Sequence, residues 1–214
     1  MKTEQFEAEQ AMIKKQGALN AYSVERDYVN SKEYRDKYEE LPVNNRVKQS
    51  IYMQAIRLLN AVDGQEQERM IAINARTGAL LVDNIERHDS GSIRGTGFND
   101  EEYKIVKSCQ DGVILLHSHS LNGRPSAQDI ITYSQNSELK MSLIIAHDGS
   151  VYAIYFAKDV VESIYNEYFE EEKGKTGDEK EAKRIATTKM YLMNRKLGKR
   201  QRLFCVKELG GTEV

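Results

Sequence analysis

The sequence predicts a mixed α/β domain with helical segments at either end. Three observations carry this expectation. Residues 1–66 hold one proline and many Glu, Lys, Gln and Ala, which is helix-forming composition. Val113-Ile114-Leu115-Leu116 is a continuous apolar run of strand length, as expected for a strand covered on both faces. Met141–Ala146 and Val151–Phe156 are two apolar runs on either side of His147-Asp148-Gly149-Ser150, a hairpin signal with Asp-Gly in the turn. At 214 residues, the chain fits one domain, or one domain with sizeable helical additions.

Within the first zone, Val47, Ile51, Ala55, Leu58 and Leu59 recur every three or four residues, so Asn45–Val62 reads as an amphipathic helix. Tyr22, Tyr28, Tyr34 and Tyr38 lie among charges at a spacing that suits a packed helix face. The mixed charges favour packing over nucleic-acid stacking. Residues 67–157 change character. Met70–Asn84 reads as two short strands around a Thr77-Gly78 turn. Asn99 caps a helix, with Glu102 completing a capping box and Tyr103, Ile105 and Val106 facing inward. A further helix starts near Ser126. From 158 onward the chain turns helical again: Val160, Val161, Ile164, Tyr165 and Tyr168 make one apolar face, and Glu170–Thr176 reads as a solvated break. A second helix follows from Asp178 to about Arg195, with a basic end of Arg195, Lys196, Lys199, Arg200 and Arg202. The division is therefore 1–65, 66–157 and 158–214.

Composition excludes several classes. With 31 basic and 33 acidic residues, the formal net charge is −2, which argues against a dedicated nucleic-acid sleeve. No apolar run approaches the roughly 18 residues of a membrane span. The opening MKTEQFEAEQ lacks the apolar core of a secretory signal, so the expected location is the cytoplasm. Cys109 and Cys205 form no pattern, which removes a disulfide scaffold and a Cys-rich zinc knuckle.

The chemistry concentrates in GVILLHSHSLNGRPSAQDI. His117 and His119 are two apart at the end of the apolar run, so a strand puts both imidazoles on one face. The turn-rich Ser120–Pro125 segment brings the next helix back over the strand end, and Asp129 lies in that helix's first turn. Two imidazoles and a carboxylate form a three-ligand zinc set with one position open for water. Ser126 with Asp129 also reads as a plain S-x-x-D helix start. His147, at the hairpin turn, is a candidate group behind the ligands. His88 reads as a surface-loop histidine, and Cys109 as a buried, unreactive thiol.

The order His-x-His, Ser-x-x-Asp resembles the JAMM (MPN+) metalloprotease family and the bacterial RadC-like domains, over about residues 66–157. His117-Ser118-His119-Ser120, Gly123, Pro125-Ser126 and Asp129-Ile130, with the later His147–Tyr152, look most like the shorter-loop version in phage-encoded proteins associated with head morphogenesis. The resemblance implies a JAMM/MPN-like mixed β-sheet flanked by helices, here with helical N- and C-terminal extensions. It implies zinc on His117, His119 and Asp129, with Ser126 helping to hold the tetrahedral oxyanion. It also implies an upstream glutamate as general base: Glu68, with Glu66 as the alternative two positions away. Family members usually have Pro after the second histidine, where this chain has Ser120; the change removes no ligand but leaves the backbone there less fixed.

The implied function is hydrolysis of a peptide or isopeptide bond in a protein or peptide substrate by a metal-activated water, as in virion or host protein processing, in the host cytoplasm for a phage-encoded protein. Two other classes compete. A non-enzymatic structural module would bind a protein partner through the helical arms. A RadC-like nucleic-acid role would draw on the basic end, against the overall charge.

Overall fold

The computed structural model describes residues 22–85, 97–120 and 123–211. Two short helices open it, α1 (Arg26–Val29) and α2 (Lys32–Lys37), followed by a 3-10 turn at Tyr38–Glu40. The tyrosines here are packing residues. Tyr34 and Tyr38 are fully buried, their hydroxyls 2.6 Å apart, and Tyr28 and Tyr52 pack edge-on against Tyr34 and Tyr38 respectively. Helix α3 (Asn45–Val62) is capped by Asn44, whose side chain accepts from Val47 N at 3.0 Å. Its buried stripe is the expected one, Val47, Ile51, Ala55, Leu58 and Leu59, extended by Val62.

Strands β1 (Met70–Asn74) and β2 (Leu80–Asp83) form the first antiparallel pair. Gly78 takes φ +71° in their turn, where an added Cβ would lie 2.9 Å from Ser50 Cβ. Helix α4 (Asp100–Ser108) carries the full Asn99/Glu102 capping box. Only Val106 of its three expected inward residues is buried; Tyr103 and Ile105 are exposed. A two-turn helix packed on a sheet edge reaches the core along a narrow line, and the Tyr103 ring instead carries the Lys107 ammonium at 5.2 Å.

Strand β3 (Val113–His119), helix α5 (Ala127–Gln135) and strand β4 (Leu139–Ala146) make a parallel crossover. Strand β5 (Val151–Ala157) returns antiparallel through the Asp148-Gly149 turn, with Gly149 at φ +79° and Ser150 N donating to Asp148 Oδ1 at 2.8 Å.

The C-terminal part departs from expectation in two ways. Helix α6 (Val160–Thr176) runs straight through the segment expected to be a break and stops at Gly177, φ +67°. The charges there are paired rather than merely solvated: Glu172 is buried and accepts from Lys175 and from Lys189 of helix α7 (Glu179–Lys196). Beyond α7 the chain is a strand, β6 (Phe204–Glu208), paired antiparallel with β5. Asn194 ties the two together, donating to Phe204 O at 3.0 Å and accepting from Leu203 N at 2.7 Å.

The result is one six-stranded mixed sheet, ordered β2-β1-β3-β4-β5-β6. Helix α3 covers one face over Ile71, Ile73, Ile114, Leu116 and Leu143. The other face is covered by α4 near Met70, Ala72, Val113 and Leu115, and by α5, α6 and α7 near Ile154, Phe204 and Val206. Residues 1–65 and 158–214, read from sequence as extensions, thus supply α3 and β6 to this layered unit. No helix among the described residues is long and apolar enough to cross a membrane.

Candidate metal centre

The β1–β3 ladder sets the site. Met70 pairs with His117 and Ala72 with Leu115, so Met70, Ala72, Val113 and Leu115 share one sheet face. Period two continues that row past the apolar cover to His117, His119 and, on the β1 side, Glu68. Ser118 points to the opposite face and locks the register. Its N donates to Arg69 O at 2.9 Å, and its buried hydroxyl accepts from Arg69 N at 2.8 Å.

The other wall is the start of α5. Ser126 is the N-cap, accepting from Asp129 N at 3.2 Å, while Ser126 N donates back to Asp129 Oδ2 at 2.7 Å. The Ser126 hydroxyl also lies 2.7 Å from that oxygen. The plain capping reading of S-x-x-D is therefore realised, and the same bonds fix the Asp129 carboxylate in place. Helix α7 supports the preceding loop: the Tyr191 hydroxyl donates to Pro125 O at 2.9 Å, and the Arg124 guanidinium sits 4.4 Å from the Tyr191 ring centre.

Four donors converge between these walls. His117 Nε2 is 3.0 Å from Glu68 Oε2, and its Nδ1 is 3.3 Å from Asp129 Oδ1. His119 Nε2 is 3.4 Å from Asp129 Oδ2, and the two imidazoles meet edge to face at 4.8 Å. One ligand atom each from Glu68, His117 and His119 lies within 4.8 Å of the others, a set able to hold a metal ion. Exposure of the four side chains runs from 10% for Asp129 to 23% for Glu68, enough shielding to strengthen charge interactions while leaving an opening. That opening is a cleft of about 250 Å³, which Gln128 and Thr132 also line.

Burial works against charge on His117, but the Asp129 and Glu68 carboxylates outweigh it and raise its pKa to about 10. Burial likewise opposes charge on Asp129, and the two imidazoles overcome it, holding this carboxyl well below its usual range. A carboxylate at each nitrogen favours the imidazolium form of His117 and makes the cluster an ion-paired group.

The structure brings together five sequence-predicted residues: Glu68, His117, His119, Ser126 and Asp129. Neither Glu66, the alternative base, nor Asp129 belongs to the three-residue set able to hold a metal ion; Asp129, expected as a ligand, meets the two imidazoles through its own contacts, and Glu68, expected as the base, stands in the ligand set instead. His147 is not hydrogen-bonded to any of them. It is buried at the end of β4, where its Nδ1 donates to Tyr22 O at 2.7 Å. Burial depresses its pKa, and its Nε2 is buried with no hydrogen-bond partner among the described residues. Cys109 is half-buried, with Sγ 3.3 Å from Gly112 O. His88 lies outside the described residues. Sequence reasoning missed Gln128, Thr132, Ser118 and Tyr191. The first two were findable, since Thr132 is one helical turn beyond Asp129 and Gln128 is one turn before Thr132. Ser118 and Tyr191 act through contacts across 49 and 66 residues, which local pattern does not carry.

Comparison with known proteins gives no match, whether to a family model, a characterised protein or a solved structure.

Proposed function

We propose that the chain is a zinc-dependent hydrolase of peptide or isopeptide bonds, built on a JAMM/MPN-like sheet. The observation that carries this reading is the convergence of Glu68, His117, His119 and Asp129 at the C-terminal end of β3. The donor set suits zinc, which takes imidazole nitrogen and carboxylate oxygen together. His117, His119 and Asp129 are the ligands in this reading, and zinc held there would bring the pKa of a bound water toward neutrality.

The chain's own residues supply the rest. Glu68 stands at the mouth on the β1 side, where its carboxylate takes a proton from water and returns it to the leaving amine nitrogen. The water oxygen bonds to the carbonyl carbon, the C–N bond breaks, and the amine departs with the proton from Glu68. Ser126 holds Asp129 through its N–H and hydroxyl. The oxyanion contact that the resemblance assigns to Ser126 requires that hydroxyl to turn from Asp129 to the substrate. The likeness to phage-encoded proteins directs the substrate search to virion and host proteins, and rests on analogy.

The test is metal content by mass spectrometry after purification without chelator, for the wild type and His119→Ala. About one zinc per chain, lost in the variant, is expected from a three-ligand site. Cleavage of peptide and isopeptide substrates then follows, with Glu68→Gln as the inactive control. Absence of metal in the wild type, even after zinc is added, would overturn the reading and leave a binding module.

A further inference from the structure

A second groove adjoins the metal cleft. It has a volume of about 500 Å³ and runs between the first turn of α5 and the face of α7. Ser126 and Gln128 line both spaces, so cleft and groove are neighbours at the start of α5. Its far wall is Tyr165 of α6 with Lys183, Arg184, Thr187 and Thr188 of α7. The Thr187 and Thr188 hydroxyls donate to Lys183 O and Arg184 O within α7, so their donor hydrogens are already engaged. The wall therefore combines an aromatic ring and small apolar surface with two cations.

The geometry points to this groove as the subsite for the polypeptide on one side of the scissile bond, selecting an acidic side chain there. The inference rests on the hydrolase reading of the adjoining cleft. Adjacency argues for substrate: Ser126 and Gln128 separate the cleft at His117 and His119 from the groove, so a chain bound in the cleft reaches the groove by crossing them. An extended chain advances about 3.3 Å per residue, so the subsite serves a residue close to the cleaved bond. Charge argues for the acidic side chain. Lys183 is paired with Glu179 and Arg184 with Glu181, but all four side chains are exposed. Exposed pairs of this kind are loosely held. An ammonium has three donors and a guanidinium five, so each cation can take a further carboxylate. The Tyr165 ring and threonine methyls suit the aliphatic part of a glutamate.

The experiment uses the full, zinc-loaded chain and a library of unstructured peptides randomised on both sides of the cleaved bond. The wild type is expected to favour Asp and Glu on one side only. The Lys183→Glu/Arg184→Glu double variant should lose that preference, with kcat/KM for acidic peptides down about tenfold, as for one lost charge contact of ordinary size. Selectivity on the other side of the bond should not change. The conservative Lys183→Arg/Arg184→Lys variant should keep the preference, and Thr187→Trp, which fills the groove, should lower turnover of all substrates with a bulky residue there. A wild type that cleaves without acidic preference, or a double variant with the wild-type profile, overturns the subsite and leaves the hydrolase reading intact. A zinc-loaded wild type that cleaves nothing overturns both.

Discussion

Met70 and His117 stand opposite each other across the β1–β3 ladder, and this pairing delivers Glu68 to the imidazole. A slip of one residue would bring Arg69 to that face and send Glu68 to the other. The fold thus holds apart two carboxylates, Glu68 just before strand β1 and Asp129 on helix α5, for which the proposed function has different uses. Glu68→Gln should keep zinc and lose about 10²–10⁴-fold in hydrolysis rate, the usual value of a general base. Asp129→Asn should lose zinc. Metal content and peptide turnover measured on both variants check this, and the reverse pattern would exchange the two roles.

The ion-paired cluster predicts opposite pH behaviour with and without metal. The folded pKa of His117 is raised to about 10, so its contribution to metal-free stability is fully present below the unfolded value near 6.5. It is lost as pH rises through about 10. Asp129 is shifted down, so its contribution is present above its ordinary value near 3.8 and lost as pH falls. Zinc requires the imidazoles without their protons, so its stabilisation grows as pH rises. Melting curves in chelator and in zinc, from pH 6 to 9, should diverge with increasing pH. A constant gap would contradict the assignment.

Tyr191 is predicted to affect the metal from a distance. Tyr191→Phe removes the donor to Pro125 O and leaves that carbonyl unpaired in a buried place, at a cost of about 1–2 kcal/mol. Chemical denaturation measures this cost. The loop that leads into Ser126 loses its hydrogen bond to α7, keeping only the Arg124–ring contact, so zinc affinity should fall as well, as read by competition with a chelating dye. Unchanged affinity with reduced stability would make Tyr191 a core residue alone.

Gly149 is a turn position with no room for a side chain. Its φ is +79°, and a Cβ there would sit 2.5 Å from Tyr28 Cδ1. Gly149→Ala should cost about 1–3 kcal/mol through strain and displacement of the ring. Gly123→Ala meets nothing within 4 Å and should stay within about 0.5 kcal/mol of wild type. Urea unfolding of the two variants gives the comparison.

What the sequence made legible follows from how local each signal is. The Val113–Leu116 run, the Asn99 and Ser126 caps and the Asp-Gly hairpin each depend on a few adjacent residues, and all four appear as expected. His117 and His119 were readable because a strand's period is fixed. Three features were hidden by their dependence on distant partners. Glu170–Thr176 looks like a loop until Lys189 of the next helix is placed beside Glu171 and Glu172. Phe204–Glu208 has alternating character but follows a basic stretch, and only its pairing with β5 makes it a strand. Tyr103 and Ile105 fit an amphipathic pattern, yet among the described residues this short helix on a sheet edge leaves them exposed. In the candidate site, the placement of Glu68 beside His117 needed the β1–β3 register, which spacing alone does not determine.

Strand β6 has a practical consequence for shortening the chain. From Arg195 onward the sequence resembles a dispensable charged tail, and an investigator seeking better crystals would be tempted to remove it. The last strand is instead what shields β5 from solvent, with Leu209 N also reaching back to Val151 O at 2.8 Å. A chain cut before Phe204 would offer the unsatisfied backbone groups of β5, beside Ile154 and Ala153, as a template for another molecule. Such a truncation should yield aggregates rather than a tidier monomer.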